Sequence, residues 1–337
     1  MERKIPDRVP TFELAIDSQV IDSIIAGADI YDFVEKFGLD AIVTKPDNKK
    51  VEIEKNTFKD ERGSILKKGK EDYLIPTNIV IKDEKDLKRF EFPDIKAPHR
   101  FSSMKRVIER FKSRIAIVVN LRDGFSEARI LHGFEQTLID LVDRPSLIRG
   151  IVEKAVDYYS ELGKIAAKMG VEIAVTGDDY AGTGGMLMSR EHFKEVVYPA
   201  MKRLFKNLHN SGLYVIKHSD GNLYPIIDLL VDAGIDCLNP IDPIAGMSLE
   251  KVKREYGDKI CLMGNVNCAG NLVFGNKNEV IEEVKKCLEI GAPGGGYIIS
   301  SSNSIHRSVN PENYEAMLEA IKKYGKYLND KIFIKDY

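Results

Sequence analysis

Eight short apolar runs, separated by stretches of helical periodicity, constrain this sequence more than any other feature. They fall at residues 8–14, 41–43, 115–120, 171–176, 214–218, 235–239, 260–264 and 296–300. Apolar strands alternating with helices indicate a parallel sheet covered on both faces. With eight in one chain, a single closed (β/α)8 TIM barrel leaves no sheet edge open. The 337 residues suffice, since such a barrel typically needs ~250. A doubly wound open sheet is the competing architecture. It wants a Gly-rich phosphate turn after the first strand, where this chain has Glu13-Leu14-Ala15-Ile16-Asp17. Residues 48–82 break the rhythm, with charged and apolar residues alternating around Arg62-Gly63-Ser64. They read as a small antiparallel β insertion after strand 2. No linker, repeat or low-complexity tract divides the chain, so one domain over residues 1–337 is expected.

Charged residues make up 30% of the chain and the formal net charge is -2. No basic run asks for nucleic acid or an anionic membrane. No segment reaches the ~18 apolar residues of a membrane span, and the first residues lack an apolar leader. A cytoplasmic location is expected. The four cysteines, Cys237, Cys261, Cys268 and Cys287, form no CxxC pair and read as reduced thiols.

In a barrel, chemistry gathers where strands end. The run at 214–218 ends in His218-Ser219-Asp220-Gly221-Asn222. Residues two apart on an extended backbone point the same way, so His218 and Asp220 can converge on one ion or one substrate atom. The bland alternative is a helix cap by Asp220 with His218 merely packed. The other strand ends supply Glu13, Asn120, Arg122, Asp178, Asp179, Tyr180, Asn239, Asp242, Asn265, Asn267, Cys268 and the polar loop 300–306. Polar groups collected around an apolar bore cost desolvation unless they bind something. Imidazole, carboxylate and thiolate are all zinc ligands, which makes His218, Asp220 and Cys268 the candidate metal set. A hydrogen-bonded polar rim without metal is the other reading. Cys237 and Cys261 sit inside strands and Cys287 on a helix, so they read as packing. Asp178 and Asp179 face opposite sides, one toward the bore as acid, base or substrate ligand. Tyr180 offers a ring for stacking or a hydroxyl for a proton. His306 is as well explained by capping or solvation as by function.

These residues resemble the uroporphyrinogen decarboxylase superfamily over nearly the whole chain. The likeness is carried by Pro6-Asp7-Arg8-Val9-Pro10, by Gly264-Asn265-Val266-Asn267 and by Phe274-Gly275. It implies a (β/α)8 barrel with its site at the C-terminal mouth. The superfamily's decarboxylases carry Arg-Gln-Ala-Gly-Arg after strand one to hold substrate carboxylates, and the acidic residues 13–17 here would repel such a substrate. The superfamily's other branch, the cobamide-dependent methyltransferases, has a His-x-Cys zinc motif with a distant cysteine. Here Asp220 stands at the first cysteine's place and Asn303 at the second's, departures that bear on thiol activation. His218-Ser219-Asp220-Gly221-Asn222, Asn267-Cys268 and the loop ending in His306 look more like substrate-demethylating, O-demethylase-type members.

That resemblance implies methyl transfer from a small methylated donor, a methoxylated aromatic or methylated amine, to the cobalt(I) of a corrinoid protein. Zinc would be held by His218, Asp220 and Cys268. Asp178, Asp179, Tyr180, Asn265 and Glu13 would line the reacting centre, with Asn303 and His306 toward the corrinoid. No Asp-x-His-x-x-Gly corrinoid-binding motif occurs in this chain, so cobalamin must arrive on a partner protein or free. A homodimer is allowed. The alternatives are a tetrapyrrole decarboxylase and a non-catalytic barrel that binds a corrinoid or small ligand.

Overall fold

Alternation along seven short strands decides which side chains face a common axis and which face the helices. The computed structural model describes residues 1–337 except 2, 70–73, 178, 329–330 and 333–337. Strands β1 (Ala41–Thr44), β2 (Ala116–Arg122), β3 (Ile173–Gly177), β4 (Tyr214–His218), β5 (Cys237–Asn239), β6 (Cys261–Val266) and β7 (Tyr297–Ser301) form one parallel sheet in that order. Ala41, Val118, Val175, Ile216, Cys237, Cys261 and Met263 meet Phe12 in an inner apolar cluster. Their sequence neighbours Ile42, Val119, Ala174, Val215, Leu238 and Leu262 belong to the larger core shared with the helices. Both faces are therefore buried, which explains why these runs carry no polar alternation until their last residues.

The first apolar run differs from expectation. Residues 8–14 form no continuous strand and make only isolated bridges, Arg8 with Lys326 and Thr11 with Ile299. Pro10 has no N–H to donate, so a regular ladder cannot pass through it. The segment still joins the sheet's two edges. The Ile299 N–H donates to the Pro10 carbonyl at 3.0 Å, and the Asp40 N–H donates to the Thr11 carbonyl at 2.9 Å. The result is a curled, barrel-like sheet.

The longest helix, Pro145–Met169, begins with proline in its first turn and ends at Gly170, whose φ of 105° is left-handed. It buries Leu147, Ile148, Ile151, Val152, Ala155 and Val156 at three- and four-residue spacing. Each large aliphatic side chain so buried contributes roughly 1.5–3 kcal/mol. After β1, four short strands (Lys50–Glu54, Thr57–Asp60, Ile65–Lys68, Leu74–Pro76) pair antiparallel. Arg62, in their central turn, donates to Glu127 Oε1 at 2.6 Å and ties this small sheet to the main body. Among the described residues no helix is long and apolar enough to cross a membrane.

Candidate metal centre

Above the inner apolar layer the strands turn polar in a single row. The register sets Arg122 of β2 beside Gly177 of β3, Gly177 beside His218 of β4, and His218 beside Asn239 of β5. His218 lies two residues beyond Ile216 and shares its inward side. Its Nδ1 lies 2.6 Å from Asn239 Oδ1. The Asn239 amide nitrogen is committed to the Met263 carbonyl at 3.3 Å, so the amide oxygen must be the atom facing the ring. His218 Nδ1 therefore donates, and in the neutral ring Nε2 carries the lone pair.

That lone pair faces a carboxylate. Asp220 Oδ1 lies 3.7 Å from His218 Nε2 and is a buried oxygen with no hydrogen-bond partner among the described residues. Its other oxygen accepts from the Asn303 amide. Asp179 completes the group, its Oδ1 accepting the Asp220 N–H at 2.9 Å. One ligand atom each from Asp179, His218 and Asp220 lie within 4.8 Å of one another. Burial pushes the Asp220 carboxyl up to about 6. The His218 ring opposes the rise, the carboxylates of Asp179 and Asp242 add to it, and the Asn303 bond opposes it again. Two acceptors facing each other across a short gap, with a second carboxylate alongside, form a donor set suited to a divalent cation.

The loops bearing these residues touch because Gly221 has no side chain. Its φ is 88°, and an added Cβ would stand 2.4 Å from the carbonyl carbon of Ala181. Asp242 supports the turn from below by accepting the Gly221 N–H at 3.1 Å.

Of the residues proposed from sequence, His218 and Asp220 come together, with Asp179 as the third member where Cys268 was expected. Cys268 lies outside the cluster and is buried. Its backbone N–H donates to Ser302 Oγ at 3.1 Å, and Ser302 Oγ lies 3.5 Å from its sulfur. Burial pushes that thiol up to about 11, so it is neutral at physiological pH. Asp178 lies outside the described residues. Tyr180 does not face the mouth: its ring is fully buried against Phe193 and its hydroxyl donates to Asp123. Asn265 is turned toward the helices, its amide donating to the Ile241 carbonyl at 3.1 Å and its oxygen meeting the Cys287 thiol.

Glu13 is buried behind β7, where it accepts the Ser301 N–H at 2.9 Å and the Ser301 hydroxyl at 2.6 Å. Asn303 stands exposed at the rim, bonded to Asp220. His306 is half-buried outside the cluster, its Nδ1 accepting the Ser308 N–H at 3.3 Å. Lys217 is fully buried on the helix side and pairs with Asp123. Two contributors escaped singling out from sequence. Asn239 was one of many strand-end residues, and only its register beside His218 reveals its part. Asp123 was missed altogether.

A family model described as Uroporphyrinogen decarboxylase (URO-D) matches residues 67–324. Curated uroporphyrinogen decarboxylases are distant relatives. That of Thioalkalivibrio sulfidiphilus is 23% identical over 198 residues, 55% of this chain and 51% of the relative. One from Vibrio vulnificus is 24% identical over 196 residues, 54% of this chain and 50% of the relative. The chain thus spans about half the length of the curated relatives it matches. The solved structure of a methyltransferase from Methanosarcina mazei aligns with a TM-score of 0.76 and 18% identity over 95% of each chain, a likeness of fold. The curled sheet, its strand-end cluster and the model that matches most of the sequence lead to one assignment: the chain belongs to the uroporphyrinogen decarboxylase family.

Proposed function

We propose that this protein is a metal-dependent methyltransferase that takes a methyl group from a small methylated donor, a methoxylated aromatic or methylated amine, for delivery to a corrinoid carried by a partner protein. The observation that carries the reading is Asp220 Oδ1, buried without a hydrogen-bond partner among the described residues and facing the Nε2 lone pair of His218. The fold shared with a methyltransferase supports it. We read the fold as a (β/α)8 barrel in which residues 10–11 occupy the eighth position between β7 and β1.

The residues present fit a zinc ion. His218, Asp220 and Asp179 would hold it, and two carboxylates with a neutral imidazole balance its charge. Bound there, zinc supplies Lewis acidity to the donor's heteroatom. The chain does the rest by placement. Asn239 holds His218 in the tautomer that leaves Nε2 free. Asn303 takes one oxygen of Asp220 and leaves the other to face the imidazole. The apolar layer of Val118, Val175, Ile216 and Met263 closes the floor beneath and keeps water from entering below.

A tetrapyrrole decarboxylase would need cations for its substrate's carboxylates. Residues 13–17 supply none: Glu13 is buried on Ser301, and Asp17 caps the helix Ser18–Ile24.

The test is metal content beside methyl transfer to cob(I)alamin, followed by its absorbance change. Wild type should hold about one zinc per chain. Asp179→Ala, His218→Ala and Asp220→Ala should lose both zinc and transfer, whereas Cys268→Ala should keep its zinc. Transfer intact in His218→Ala, or a wild type that takes up no metal but binds porphyrinogens, would overturn the proposal.

A further inference from the structure

The two segments that carry the candidate ligands are tied together on the helix side of the sheet. Lys217 precedes His218, Tyr180 follows Asp179, and both are fully buried among the helices. They meet at one atom. Asp123 Oδ2 accepts from Lys217 Nζ at 2.8 Å and from the Tyr180 hydroxyl, while the ammonium sits 4.2 Å from the centre of the Tyr180 ring. Asp123 is itself 1% exposed, and its other oxygen accepts the Ser126 N–H at 3.2 Å as the cap of the helix Gly124–Leu131. The same helix grips the Asp179 segment a second time, through Arg129 Nη1 and the Asp179 carbonyl at 3.1 Å. Ser219 adds a direct link, its Oγ accepting the Tyr180 N–H at 3.0 Å.

Stability alone is a weak reason for this arrangement. Burying a lysine and an aspartate costs desolvation that their attraction does not reliably recover, and apolar side chains of similar volume often hold such a position as well. What apolar packing does not supply is direction. A carboxylate that receives an ammonium and a hydroxyl at one oxygen fixes both donors within a few tenths of an ångström. Here each donor is one residue from a ligand.

We propose that Asp123 is a positioning residue for the metal centre, setting the spacing of Asp179 and His218 through Tyr180 and Lys217. The proposal rests on the metal reading of that cluster. Metal affinity is sensitive to such outer contacts, which typically account for roughly 10–100-fold when removed.

The test titrates metal-free protein with zinc against a chromophoric chelator. The variants are Tyr180→Phe, which removes one hydroxyl and leaves the Lys217–Asp123 pair, and Asp123→Asn. Tyr159→Phe is the control, because it removes a buried tyrosine hydroxyl from Glu127 in a neighbouring cluster. In parallel, amide hydrogen exchange is followed in metal-free protein over residues 179–182 and 216–220. Tyr180→Phe and Asp123→Asn should remain folded by circular dichroism, bind zinc about 10–100-fold more weakly, and exchange faster in both segments together. Tyr159→Phe should bind zinc as wild type does. Unchanged zinc affinity in folded Tyr180→Phe overturns the proposal, even if Asp123→Asn fails to fold. If wild-type protein takes up no zinc, the metal reading fails separately, and exchange decides alone. Joint acceleration in the two segments then keeps Asp123 as their tether, and unaltered protection removes it.

Discussion

Asp220 is the residue on which the site's pH behaviour turns. Burial, reinforced by Asp179 and Asp242, lifts its carboxyl to about 6, and a proton there competes with any cation. The carboxylate is present above that value and is lost as pH falls through it. Zinc affinity of the metal-free protein should therefore be nearly level from pH 7 to 8 and fall at least about tenfold per pH unit below 6. Chelator competition at half-unit intervals checks this, and a flat profile down to pH 5 would exclude Asp220 as a ligand. The approach of His218 and Asp220 is legible in the sequence, because residues two apart on an extended backbone point the same way. The third member of the cluster, Asp179, is not. Asp178 and Asp179 are adjacent and chemically identical, and no local pattern tells which of the two belongs beside His218. Cys268 stands apart from the cluster for a related reason. The loop after β6 folds its thiol under Ser302, a contact made with a residue 34 positions away.

At the scale of elements, the site depends on two segments in van der Waals contact. Gly221 makes that approach feasible, with its left-handed φ of 88° and Ala181 where a Cβ would go. Gly221→Ala should push the 218–222 turn off the 179–182 segment, abolish zinc uptake and lower stability by about 1–3 kcal/mol. Urea melts together with metal analysis measure both effects, and full zinc retention would show that the approach is dispensable. The strands β2 to β7 are legible because each is a short run buried on both faces. The helix Gly124–Leu131 is not, since Asp123-Gly124 reads as a turn. In the fold Asp123 caps that helix. Gly124 lets it close on Val152, where an added Cβ would lie 2.5 Å from a methyl carbon. Residues 8–14 carry a strand's apolar content without its regularity, because Pro10 interrupts the donors a ladder needs.

For the molecule as a whole, the join between the sheet's edges contains an unusual group. Glu13 is held by Ser301 in the core, and burial pushes its carboxyl up to about 8 from an ordinary 4.5, against the two Ser301 hydrogen bonds. Between those values the folded protein keeps a proton that the unfolded chain has released. This group's contribution to stability is thus fullest below pH 4.5 and is lost as pH rises through 8. Glu13→Gln should flatten that part of the profile and be more stable than wild type at pH 8.5, as urea melts at pH 5.5 and 8.5 would show. An unchanged slope would mean the carboxyl ionises freely in the fold.

Glu13 and Ser301 also lie 288 residues apart in the chain. A ribosome adds about 5–20 residues per second, so Glu13 waits on the order of 15–60 s for the partner that receives it. The segments bearing Asp179, His218 and Asp220 are all made within that interval. The three residues of the candidate metal cluster are therefore made before the join between Glu13 and Ser301 can form.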